Sequence, residues 1–280
     1  MQILSPLIGP IIGIGFAAAL LSGCQTAPTA GQSSSNPPGN PPGNPAGNPP
    51  GSHRSTDGSV RVVNHAPGLK PAMLARLADQ TEREYQKLQR LFGVHVGRVT
   101  VNVRAQGVGR HFPPSAIRIP RDTVLKGSAI TAHELTHLLN QGWASKVLKE
   151  GLAVYGQNRV GEQRGWPNYK LGIHRAAYRA ITDPANDPIS PVQTPAEAER
   201  AFATAKLGQT VKRKAAYNIS GSWVTWLIEQ SMGGDLDRFM RTLYRRGDYR
   251  AATGKSYGVL EAAWGRFIVR RATGKRTSQN

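Results

Sequence analysis

His133-Glu134-Leu135-Thr136-His137 lies in an apolar run that continues through Leu138 and Leu139. Residues four apart on an α-helix share one face, so both imidazoles point the same way and can hold one metal ion between them. Glu134 falls between them, positioned to take a proton from a water at that ion. A catalytic centre of this kind has three protein ligands and one open position. Two histidines supply only two of these. The chain must therefore bring a third ligand back onto this helix from another element, which limits the folds open to it.

The 280 residues leave room for one sizeable domain and accessory segments. The first 53 residues hold no Asp, Glu, Lys or Arg, so the net charge of +19 lies between Arg54 and Asn280. That balance suits anionic surroundings such as headgroups and envelope polymers. It equally suits plain solubility. The basic residues are scattered, with no Lys/Arg block, zinc-finger pattern or RNA-binding signature, so nucleic acid is not expected as a partner.

The only cysteine, Cys24, follows Leu21-Ser22-Gly23 at the end of an apolar run. This resembles a bacterial lipoprotein signal, with residues 1–23 removed and Cys24 lipidated. No Lys or Arg precedes the run, and Pro6 and Pro10 interrupt it. An uncleaved membrane helix is the other reading. Asn-Pro-Pro-Gly units start at Asn36, Asn40 and Asn48, with an Asn-Pro-Ala-Gly variant at Asn44. Proline removes donors and glycine raises backbone entropy, so residues 24–58 are expected to be a disordered tether.

Residues 59–280 are expected to fold as one α+β domain, with a small N-terminal mixed sheet and a mostly helical C-terminal part. Val60-Arg61-Val62, the alternating Val99, Val101 and Val103, and Ala116-Ile117-Arg118-Ile119 read as strands. Residues 71–92 have helical spacing, with Pro71 in the first turn and Gly93 as C-cap. Ser128 or Thr131 opens the helix with the two histidines. Further helices are expected at residues 147–157, 171–181, 196–206, 214–232, 236–244 and 260–271, with a loop over 183–195.

Glu150, in Leu148-Lys149-Glu150-Gly151-Leu152-Ala153-Val154-Tyr155, is the best-placed third ligand, with Gly142 marking the break between the two helices. An exposed glutamate favoured by the helix dipole is the plainer reading. HELTH followed by EGLAVY resembles the peptidase MA-like gluzincins, relatives of thermolysin and the zinc aminopeptidases. The likeness extends over residues 60–268 and is strongest at these two motifs. It implies a zincin-like fold and a Zn2+ ion held by His133, His137 and Glu150, with Glu134 as general base. It also implies a tyrosine or histidine that stabilises the oxyanion, for which Tyr217 is the first candidate and His174 the second. In the resembled fold an edge strand beside the zinc helix binds substrate, a part that Ala116–Ile119 could fill. His53, His65, His95 and His111 lack partner spacing and receive no role.

Two departures bear on specificity. No Gly-x-Met-Glu-Asn segment is present to hold a substrate amino group, so an endopeptidase is expected over an aminopeptidase. Position 154 is Val154, which offers no carboxylate to orient a ligand histidine. The expectation is a zinc metallopeptidase acting on peptides or proteins, anchored by lipid in a bacterial envelope. The alternative is a non-catalytic, lipid-anchored binding protein that keeps the fold.

Overall fold

The computed structural model describes residues 51–163, 166–168, 171–182, 192–204 and 210–273. The signal, Cys24 and the Asn-Pro-Pro-Gly units up to Pro50 lie outside the described residues, as does most of the loop expected at 183–195.

The architecture is α+β, with a mixed five-stranded sheet followed by helices. β1 (Ser52–Arg54) pairs antiparallel with β2 (Val60–Asn64), which precedes α1 (Pro71–Phe92). β3 (Val99–Arg104), β4 (Arg110–Phe112) and β5 (Ala116–Pro120) complete the sheet. The strand order is β1-β2-β3-β5-β4; β2, β3 and β5 are parallel, and both edges are antiparallel. The strand Ser52–Arg54 falls inside the segment read as tether, so the folded part begins before residue 59. Its three polar residues carry no alternation that a sequence reading could detect.

α2 (Arg121–Leu125) leads to α3 (Thr131–Leu139), which carries the two histidines, and to α4 (Lys146–Val160), which carries Glu150. Then come α5 (Ile173–Thr182), α6 (Pro195–Thr204) and α7 (Thr210–Trp226), which continues as a π-helical turn over Leu227–Ser231. α8 (Leu236–Arg238) runs into π-helical Phe239–Tyr244, followed by α9 (Tyr249–Thr253) and α10 (Tyr257–Thr273). No helix among the described residues is long and apolar enough to cross a membrane.

Two cores hold these elements. In the first, Val60, Val62, Val99, Val101, Val103, Ile117 and Ile119 point from one face of the sheet into α1 and α3. Alternation makes this possible, because every second residue of each strand reaches that face. On the other face no strand residue is buried, and no described element covers it. The second core is helical, built on Leu148 and Leu152 of α4 with Ile219, Trp223 and Val224 of α7 and Trp264 of α10. α3 belongs to the first core and α4 to the second, so the two motif helices meet where the cores adjoin.

The glycine of Glu150-Gly151-Leu152-Ala153 serves this second core. A methyl at Gly151 would overlap the Ser220 carbonyl oxygen and Val224, and one at Gly221 would overlap Val154. α4 and α7 thus cross with a glycine on each side. Gly151→Ala should gain about 1 kcal/mol of helix propensity. Against that, overpacking costs about 1–3 kcal/mol. A backbone carbonyl cannot swing aside, so net destabilisation is expected, visible as a lower urea midpoint. An unchanged midpoint would show that the crossing relaxes.

Candidate metal centre and its cleft

All nine residues of α3 are buried, so its histidines and glutamate sit in the interior, where polar groups need partners. The start of α3 is held from outside. His133 N donates to Gln157 Oε1 at 2.9 Å, and Thr131 Oγ1 donates to the buried Glu84 carboxylate. Glu84 also accepts from Gln80 Nε2 at 3.1 Å and Glu162 N at 2.7 Å, and burial pushes its carboxyl above the usual range. Gln157 lies seven residues after Glu150, on the same face of α4. One helix therefore both caps α3 and presents Glu150 to it.

The start of α4 is equally fixed. Ser145 Oγ accepts from Leu148 N at 3.3 Å, while the Glu199 carboxylate accepts from Lys146 N and Val147 N at 3.0 and 2.6 Å. These bonds satisfy backbone donors that a helix start otherwise leaves open.

The result is a compact three-atom group. His133 Nε2 and His137 Nε2 are 3.2 Å apart, and Glu150 Oε2 lies 3.5 Å from the first and 3.1 Å from the second. These residues form a group able to hold a metal ion, from one side chain each. Burial alone would raise the Glu150 carboxyl, but His137 and His133 beside it hold it well below the usual carboxylate range. The Glu150 carboxylate thus faces the two ring nitrogens in the ionised form that a cation needs.

The far nitrogens are unusual. Among the described residues, Nδ1 of His133 and of His137 is buried without a hydrogen-bond partner. Ring packing orients them instead. Trp166 and Tyr217 stand edge-on to His133 at 4.6 and 5.9 Å between centroids, and His111 lies 5.0 Å from His137.

A cleft of about 1080 Å³ opens over the group, lined among others by Glu134, His111, Trp143, Trp166 and Tyr217. Burial, with Glu150 nearby, pushes the Glu134 carboxyl up to about 7. Gly109 presses against it, and a methyl there would overlap Glu134 Oε1. Burial, and Glu150 again, pushes the Tyr217 hydroxyl up to about 12, so it stays a protonated donor. Val108, Phe112 and Trp143 are all more than a third exposed and all line this cleft. Large apolar side chains left in water around one concavity are the common character of ligand clefts.

The structure places Glu134 and Tyr217 in this cleft with the three ligand candidates. His174 is elsewhere: its Nδ1 lies 2.9 Å from Ser222 Oγ and its ring packs on Phe267, within the helical part. Burial, with Arg271 nearby, pushes its imidazole down to about 4. Because the folded value lies below 6.5, this group stabilises the fold at pH above 6.5 and loses that contribution as pH falls toward 4. His174→Gln should flatten the stability profile across that window in urea titrations. An unchanged slope would exclude the residue as its source.

Two expectations are corrected. His111 was given no role, yet it lines the cleft against His137, and burial, with His137 beside it, pushes its ring down to about 4. Ala116–Ile119 does not form a sheet edge: β5 lies between β3 and β4, so the free edge beside α3 is β4. At three residues, β4 is too short to show a strand signal, and only the sheet order brings His111 to the site. No family model and no curated protein matches the chain.

Proposed function

We propose that the chain is a zinc-dependent metallopeptidase of gluzincin type with a zincin-like fold, cleaving peptide bonds at a bacterial envelope to which Cys24 anchors it. The observation that carries this reading is the convergence of Glu150, from a second helix, on His133 and His137, with Glu134 beside them. Four ligands in a tetrahedron about 2.0–2.1 Å from a zinc ion stand about 3.3–3.4 Å apart. The three separations of 3.2, 3.1 and 3.5 Å fit that figure. When bound, zinc polarises a carbonyl and lowers the pKa of water toward neutrality.

The rest falls to the chain's own side chains. A carboxyl near 7 can accept a proton from water and return it to the leaving amine at neutral pH, which suits Glu134. The Tyr217 hydroxyl, kept protonated, is available to donate to the oxygen that becomes negative. Among the described residues β4 has no partner strand on its outer edge, where its backbone groups can align an extended peptide. Val108, Phe112, Trp143 and Trp166 give apolar walls for its side chains.

The test uses the full chain. About one zinc per chain is expected, with hydrolysis of a broad peptide library lost to a chelator and restored by zinc. A protein without stoichiometric metal would sink the reading. Bound zinc with an uncut library would leave a non-catalytic binding protein.

A further inference from the structure

Each of the five strands places one arginine on the open face of the sheet. Strand alternation and register put Arg54, Arg61, Arg104, Arg118 and Arg110 there, opposite the buried valines and isoleucines. No other strand residue on that face is acidic, and among the described residues none of the five arginines makes an ion pair. Arg54 is directly opposite Arg61, and Arg110 is directly opposite Arg118. Like charges opposed across a strand pair destabilise it, and an anion laid over them would offset that repulsion.

The part of this face nearest the metal group is also concave. Arg104, Arg118 and Phe112 line a hollow of about 710 Å³, and Phe112 and Arg110 also line the metal cleft. The guanidiniums of Arg110 and Arg118 lie over the Phe112 ring, 5.5 and 5.0 Å from its centroid. Such stacking holds them side by side while leaving their donors free. At the cleft, Arg213 and Lys214 add further cations, and among the described residues the only lining carboxylates are Glu134 and Glu150.

A polypeptide aligned on the free edge of β4 would turn alternate side chains toward α3 and toward the open face. We propose that Arg104, Arg110 and Arg118 form a selectivity surface for carboxylate side chains at alternate substrate positions, making acidic polypeptides the preferred substrate class. This rests on the metallopeptidase reading. A guanidinium fork matches a carboxylate in two parallel hydrogen bonds. A hollow that continues into the cleft suits a chain, whereas a flat bilayer would meet the rim alone.

The experiment uses the zinc-loaded full chain and three synthetic peptide pools with a shared apolar centre. Alternate flanking positions carry Asp/Glu, Ser/Asn or Lys/Arg. The acidic pool should be cut on the order of tenfold faster than the neutral one at low salt. That preference should shrink in roughly 0.5 M salt. In the triple variant Arg104→Gln, Arg110→Gln, Arg118→Gln the ratio should fall toward one. Arg266→Gln, an exposed charge on α10, should leave it unchanged. The triple variant's thermal midpoint should be equal to or above that of the parent, since opposed like charges are removed.

Equal cleavage of all pools, or an unaltered ratio in the triple variant, would overturn the proposal while leaving the peptidase standing. If no pool is cut, the peptidase reading fails, and the surface is judged by binding of the labelled pools to Glu134→Gln protein. Tighter binding of the acidic pool, lost on adding the three arginine substitutions, supports it; equal binding overturns it. Binding to phosphatidylglycerol vesicles through the three arginines, without binding of the acidic pool, would make the face a membrane surface and refute it.

Discussion

Glu134→Gln is expected to lower kcat/KM by about 10²–10⁴-fold, the range for removing a positioned acid-base group. The change keeps the shape of the side chain, so the close fit against Gly109 survives. It leaves untouched the three atoms that converge on the metal position, so zinc content should stay at the parent value. Paired measurement of metal content and peptide hydrolysis separates this result from simple misfolding. Loss of zinc together with activity would mean that Glu134 supports the fold or the ion. Retention of activity within a few-fold would remove it as the base.

The second large effect concerns Glu150. Glu150→Gln keeps volume and removes the negative charge that both imidazoles stabilise. Groups that merely orient a ligand already cost about 10–100-fold in metal affinity when changed. Loss of a ligand's charge should therefore weaken zinc binding by at least about 100-fold, read by competition with a chromogenic chelator. Hydrolysis should fall in step when zinc is limiting and recover in part when zinc is in excess. An unchanged affinity would take Glu150 out of the ligand set and reduce the centre to two histidines.

Helices were the most legible part of this chain, because apolar spacing and termination signals repeat over many residues. α1 runs from Pro71 to Phe92 with Gly93 in the left-handed conformation as C-cap, as spacing and end signals predict. The alternating valines of β3 and the short β5 were equally readable. β1 and β4 were not, since three residues at a sheet edge are too few to carry an alternating pattern. In the centre, the two histidines followed from motif spacing, because local helix geometry governs where they point, whereas Glu150, on a second helix, was suggested by the resemblance that EGLAVY carries. His111, Trp166 and Gly109 reach the cleft only through tertiary packing, and nothing near them in sequence says so. The open arginine face had the same character: five single residues, dispersed from Arg54 to Arg118, become one surface only when register aligns them.

The placement of the ligands on helices of separate cores has a thermodynamic consequence. An ion bound by α3 and α4 favours only states in which both cores are formed and docked. It therefore adds RT ln(1 + [M]/Kd) to the stability of the whole, about 2.7 kcal/mol at a free metal concentration a hundredfold above Kd. In the loaded protein, the sheet and the helical part are tied into one cooperative unit. In the stripped protein they are joined by side-chain packing and hydrogen bonds alone, among them Leu91 and Phe92 of α1, which pack against both cores, and the bond from Tyr244 Oη to the Asn140 carbonyl, so opening of one core costs less.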